Sequence, residues 1–83
     1  MWISARILRR IDADENLDRF YELTLEPTLF GEWAVVRRWG RFQGPGQKRE
    51  TWFQSPSPAQ SYMNKLYRQK LRKGYQEAGV KTV

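Results

Sequence analysis

The sequence predicts an α+β fold: a small antiparallel β-sheet of about four strands with one C-terminal amphipathic helix packed on one face. Three observations carry this. Up to about residue 54, apolar and polar residues alternate in short runs divided by turn-forming residues, as half-buried strands require. Beyond residue 57 the apolar residues recur at helical spacing instead. The chain has 83 residues, enough for one domain and one modest core.

The first strand runs from Ile3 to Ile11, with Ile3, Ala5 and Ile7 on one face and Ser4 and Arg6 on the other. Asp12-Ala13-Asp14-Glu15-Asn16 is an acidic, turn-forming break. Arg19 to Leu25 is the second strand, in which Tyr21, Leu23 and Leu25 alternate with Phe20, Glu22 and Thr24. The two should form an antiparallel hairpin. Pro27 and Gly31 punctuate the next turn. Trp33 to Trp39 follows as a third strand, rich in aromatic and β-branched residues. Gln43-Gly44-Pro45-Gly46-Gln47 turns the chain into a fourth strand from Lys48 to Gln54. The glycines of that turn do not make a phosphate loop, because the Walker spacing and its strand-loop-helix context are absent.

Ser57-Pro58-Ala59-Gln60 reads as a helix start, with Ser57 as N-cap, Pro58 at the first helical position and Gln60 completing a capping box. Ala59, Tyr62, Met63, Leu66 and Tyr67 then form the apolar stripe, with Leu71 near it. Ala59, Met63 and Leu66 are expected to be buried. Gly74 stands where a helix-ending glycine belongs, after basic residues in the last turn. Residues 1–78 thus make one domain, and Gly79 to Val83 is expected as a flexible tail. A single helix covers only one face of the sheet, so the other face must meet solvent or a partner.

Composition narrows the function. The net charge is +6 with a pI near 10.1, which favours a polyanionic partner. The chain contains no Cys and no His. Disulfides, cysteine nucleophiles and the usual zinc sites are excluded, and so is the commonest general base at neutral pH. Asp12, Asp14, Glu15 and Asp18 cluster in a turn but do not complete a calcium loop. No metal, no cofactor and no catalytic activity are expected. Arg6, Arg9 and Arg10 interrupt the N-terminus before any signal-peptide core, and no run approaches a membrane span. A cytoplasmic protein is the expectation.

Of the four tryptophans, Trp33 and Trp52 are assigned to core packing. Trp39 differs, because Gly40 follows it and Arg37, Arg38 and Arg41 surround it. Such a ring can stack on a sugar or base while the guanidinium groups hold phosphates. Equally, Arg37 or Arg41 can stack on Trp39 within the protein. Gly40 serves a bulge or a positive φ at the strand end, close backbone approach to a ligand, or both.

Trp39-Gly40-Arg41 and its context resemble the WGR domain, named for that tripeptide. Asn16-Leu17-Asp18-Arg19-Phe20-Tyr21 resembles the family's Asn-x-x-Lys-Phe-Tyr strand, with Arg19 in place of Lys. Trp33-Ala34-Val35-Val36-Arg37-Arg38 leads into the tripeptide as in the family, and Phe42 replaces a more usual aliphatic residue. Gly46-Gln47 matches the Gly-Gln after the turn, Ala59 opens the helix, and Lys70 with Gly74-Tyr75 matches the closing Lys-x-x-x-Gly-Tyr. The resemblance covers roughly residues 3 to 76.

The family occurs in DNA-dependent poly(ADP-ribose) polymerases, in bacterial proteins and as stand-alone small proteins. In the polymerases the module binds DNA near a strand end. Its tryptophan packs on a terminal nucleotide's sugar, and its arginine contacts DNA or a neighbouring domain. The resemblance therefore implicates Trp39 and Arg41, with Asn16 as a phosphate contact. Gly40, Arg37, Arg19, Gln47, Lys48 and Lys70 complete the expected nucleic-acid-binding set. No catalytic domain accompanies the module in this sequence, so the arginine's interdomain role does not carry over. The expected partner is nucleic acid, DNA ahead of RNA, in the form of ends, nicks or structured DNA with little sequence readout. The alternative is a protein-interaction adaptor using the exposed sheet face. Either would act as a monomer away from membranes. A contiguous basic patch around Trp39 favours the first, and a large apolar patch the second.

Overall fold

The computed structural model of the chain describes residues 4–82, with side chains for residues 4–78. Strands β1 (Ser4–Asp12), β2 (Leu17–Pro27), β3 (Trp33–Arg41) and β4 (Gln47–Phe53) form a meander, followed by helix α1 (Pro56–Arg72) and strand β5 (Gln76–Thr82). The sheet order is β4-β3-β2-β1-β5, with antiparallel pairing throughout. The fold is thus the expected α+β arrangement with one strand more. Gln76–Thr82 pairs along β1 through a bulge between Ile7 and Leu8, so most of the segment expected as a tail is a sheet edge. Val83 and Ile3 lie outside the described residues. No helix among the described residues is long and apolar enough to cross a membrane.

The helix lies on one face and buries Ala59, Met63 and Leu66, as the stripe predicts. It covers Tyr21, Leu23, Leu25 and Val35 from the central strands. Leu8 completes this core from β1 and is fully buried. That reverses the expected polarity of β1. The residues paired with the buried β2 positions are Ser4, Arg6 and Leu8, whereas Ala5 and Ile7 point to the open face. A strand with apolar residues on both parities does not show its buried side by alternation alone. Trp52 is likewise corrected: it stands on the open face and is 46% exposed, whereas Trp33 packs against the core.

The helix starts one Ser-Pro repeat earlier than expected. Ser55 is the N-cap in extended conformation, without a side-chain cap bond, and Pro56 follows it. Both prolines are tolerated because the first backbone N–H groups of a helix have no partner within it. The C-terminus ends as expected at Gly74, whose φ is +95°. The Tyr75 N–H donates to the Lys70 carbonyl and the Gly74 N–H to the Leu71 carbonyl, each at 3.1 Å. This double bond pattern is a Schellman cap, and it folds Tyr75 back toward the core.

Candidate nucleic-acid interface

Residues directly opposite in antiparallel strands share a face. The register therefore assembles one end of the helix-covered face from cations. Arg10 stands opposite Arg19, Arg19 opposite Arg41, and Arg37 opposite Arg49. Trp39 lies between Tyr21 and Gln47 in the same layer. Like charges directly opposite one another are unfavourable. Among the described residues none of Arg10, Arg19, Arg37, Arg41, Arg49, Lys70 or Lys73 forms an ion pair.

The helix delivers Lys70 to this cluster through its last turn. The ammonium sits 4.5 Å from the Tyr21 ring centroid and 5.5 Å from that of Tyr75, a partly desolvated cation–π seat. Burial holds the Lys70 pKa below its usual value, and the nearby charges of Lys73, Arg37 and Arg19 push it the same way. The cluster is thus dense enough for its members to feel one another.

Trp39 is half-buried rather than a core residue or a free platform. Its ring lies 6.4 Å from that of Tyr21 at 35°, and the Arg37 guanidinium is 5.6 Å from its centroid. The internal cation–π contact left open by the sequence is therefore present. Among the described residues Arg37 Nε and the Tyr21 hydroxyl are buried without a hydrogen-bond partner. Burial raises the Tyr21 pKa, and the adjacent Arg37 charge offsets only part of that rise.

Gly40 has a positive φ of +155°, and a Cβ there would sit 2.8 Å from Gly46 Cα. A Cβ on Gly46 would in turn strike the Phe20 ring and the Trp39 carbonyl, each at 2.8 Å. The two glycines let the β3–β4 turn close over Phe20. Close approach is real at Gly40, but the approaching backbone is the protein's own. Gly40 also lies within β3, one residue before its end.

The structure gathers most of the expected side chains at one end and separates Lys48 from them. Arg19, Arg37, Trp39, Arg41 and Gln47 share the helix-covered face, and Lys70 meets them from above. Asn16 is exposed in the β1–β2 turn at that end, in the left-handed conformation at φ +51°. Lys48 pairs with Arg38 in register and so faces the opposite side, where it lies 3.7 Å from Glu50. Gly40 contributes backbone shape and no side chain. Arg38, which adjoins Trp39 in sequence, also faces away and donates to Glu22 at 2.8 Å. Sequence reasoning did not name Arg10 and Arg49, which the register brings to this end, nor the buried Tyr21 and Tyr75 as the seat of the Lys70 ammonium. The parity of Leu8 would have placed Arg10 here, since both side chains leave β1 on one side.

The chain is similar to the uncharacterized protein y4dW of Sinorhizobium fredii (strain NBRC 101917 / NGR234), with 35% identity over 68 residues. That match takes in 82% of this chain but 33% of the relative, so the chain spans about a third of the relative's length. The family model described as the WGR domain matches residues 4–82, from the first described strand to the last, and the chain belongs to the WGR domain family.

Proposed function

We propose that the helix-covered end of the sheet is a non-catalytic nucleic-acid-binding surface, for DNA ahead of RNA. The observation that carries this is the run of cross-strand arginine pairs, without carboxylate partners, around the half-buried Trp39. Phosphates relieve the mutual repulsion of these cations, and counterion release from the nucleic acid adds to the affinity. The Trp39 ring packs on a sugar or base, while Arg41, Arg19 and Asn16 hold phosphates. No helix is placed to enter a groove, so ends, nicks or other structured DNA are favoured over a base sequence.

A gel-shift panel of blunt, nicked and single-stranded oligonucleotides across a salt series tests the reading. About four to five phosphate contacts give a slope near −4 in log affinity against log salt for duplex DNA. A flat salt response overturns it.

A further inference from the structure

The open face has its own concave feature, remote from the arginine cluster and unlike it in charge. At the β2–β3 turn a groove of about 280 Å³ is lined by Glu26, Phe30, Ala34, Val36, Glu50 and Trp52, among others. Its floor is made by small residues of the central strand. Ala34 stands between Glu26 on one side and Trp52 on the other, and Val36 stands beside Glu50. Phe30, 79% exposed, overhangs the end, with its ring 6.3 Å from that of Trp52 and tilted by 30°. Leu29 beside it is 99% exposed.

Two features of this groove run against expectation for a solvated surface. Large apolar side chains that cluster in the open mark contact sites. The turn that presents them is also held in shape, because the Thr28 hydroxyl accepts from the Phe30 and Glu32 N–H groups at 3.2 and 3.1 Å. The second feature is charge. In a chain of net charge +6, this groove is lined by carboxylates and by no Lys or Arg. Glu26 forms no ion pair among the described residues. Glu50 accepts from the Trp52 indole at 3.3 Å, which fixes that ring beside the carboxylate. Lys48 approaches Glu50 only to 3.7 Å and at an exposed site, where a partner charge displaces it at little cost.

We propose that this groove binds a Lys or Arg side chain flanked by an apolar residue, presented by a partner polypeptide. The cation lies between the Glu26 and Glu50 carboxylates and against the face of the Trp52 ring, the preferred aromatic for a cation. The neighbouring apolar side chain covers Phe30 and Leu29. The volume is enough for one long side chain. Nucleic acid is disfavoured here, since the carboxylates repel phosphate. The proposal develops the protein-docking alternative for the open face and is independent of the nucleic-acid reading of the opposite one.

The indole N–H resonances of Trp39 and Trp52, followed by NMR, test it with a short Leu/Arg peptide and its Leu/Glu counterpart as probes. The Leu/Arg peptide should move the Trp52 resonance and leave Trp39 in place, and the Leu/Glu peptide should leave Trp52 unmoved. Trp52→Ala should weaken peptide binding by at least about tenfold, followed by a backbone amide of β4, as for a central aromatic anchor. The double variant Glu26→Gln/Glu50→Gln should weaken it by up to about fivefold while retaining the folded spectrum. Trp39→Ala should have no effect on it. Equal response to both peptides, or movement of Trp39 instead, overturns the proposal. Shifts at Trp52 that grow with protein concentration alone assign the groove to a second copy and overturn it as well.

Discussion

The open face of the sheet and the arginine-rich end of the helix-covered face are cut from the same strands, yet they treat charge in opposite ways. On the open face Arg9 grips Asp18 through two hydrogen bonds at 2.9 and 2.8 Å, Arg38 binds Glu22, and Lys48 approaches Glu50. Arginines there also lie over Phe42 and Phe20, at 3.5 and 5.3 Å from the ring centroids. On the helix-covered face the apolar core occupies the middle, Arg6 pairs with Glu77 at its β5 side, and the arginines at its far end oppose one another. Internal neutralisation makes the open face's cations part of the fold. On the other face Arg6 is paired in the same way, but the end cluster of Arg10, Arg19, Arg37, Arg41 and Arg49 has no such partner among the described residues, which leaves its charge available for a ligand. A basic net charge is thus a poor guide to where a polyanion binds, and pairing is the better one.

The sharpest test of the comparison is in the packing. Met63→Ala removes a fully buried side chain under the helix and should cost about 2–5 kcal/mol, whereas Trp52→Ala at a half-exposed site on the open face should cost less, about 1 kcal/mol. Thermal melts of the two variants decide it, and equal losses break the contrast between the faces.

Trp39→Ala is next in size. The half-buried ring packs on Tyr21, so the variant should remain folded by circular dichroism. It should lose about 1–3 kcal/mol of nucleic-acid affinity, with little dependence on sequence. A folded variant that binds DNA as well as the parent removes the ring from the interface, and an unfolded one makes it a core residue.

Arg41→Ala and Lys48→Ala compare the faces by charge alone. The first should make the salt slope shallower by about one contact, and the second should leave it unchanged, because Lys48 points to the other side. Equal changes would mean that nucleic acid wraps the β4 edge and meets both faces.

The smallest expected effect concerns acid. Hydrogen bonding from Arg9 holds the Asp18 pKa below the usual carboxylate range. A carboxyl group with a depressed folded pKa contributes stability above its unfolded pKa, and that contribution is lost as pH falls through the folded value. Asp18→Asn should therefore flatten the acid side of a melting-temperature profile while leaving DNA binding at neutral pH intact. An unchanged acid profile would show that the pair, exposed as it is, adds nothing to the fold.

Much of the fold was legible because local rules agreed with one another. The turn residues, the alternation in β2 and β3 and the helical stripe all pointed to a meander and one helix. The buried helix residues followed from spacing alone. Errors arose where a local signal was degenerate. The capping-box pattern favoured Ser57 while the helix starts after Ser55 without a side-chain cap bond, and β1 carries apolar residues on both parities. Gln76 to Thr82 has no alternation that marks a strand, and it becomes one by pairing with β1, whose backbone groups would otherwise be left at an open edge. Of the candidate site, Trp39, Arg41, Arg37 and Arg19 were named from the motif. Arg10 and Arg49 were not, since nothing in their own neighbourhoods distinguishes them from ordinary strand residues; Tyr21 and Tyr75 lie in motif segments, but their part in seating Lys70 depends on the fold.

The sequence by itself determined the class of fold, the family, the sign of the charge and the absence of cysteine and histidine chemistry, because these depend on composition, short-range periodicity and a compact motif. Only the tertiary structure decided which cations stand together. Adjacent residues on a strand leave on opposite faces, so Arg37 and Arg38 part company, the first to the Trp39 side and the second to Glu22. Residues far apart in the chain, such as Arg10, Arg41 and Lys70, are brought to one end by register and by the direction of the helix. The same geometry decided which of them find a carboxylate, because pairing across strands is a property of the sheet and cannot be read along the chain.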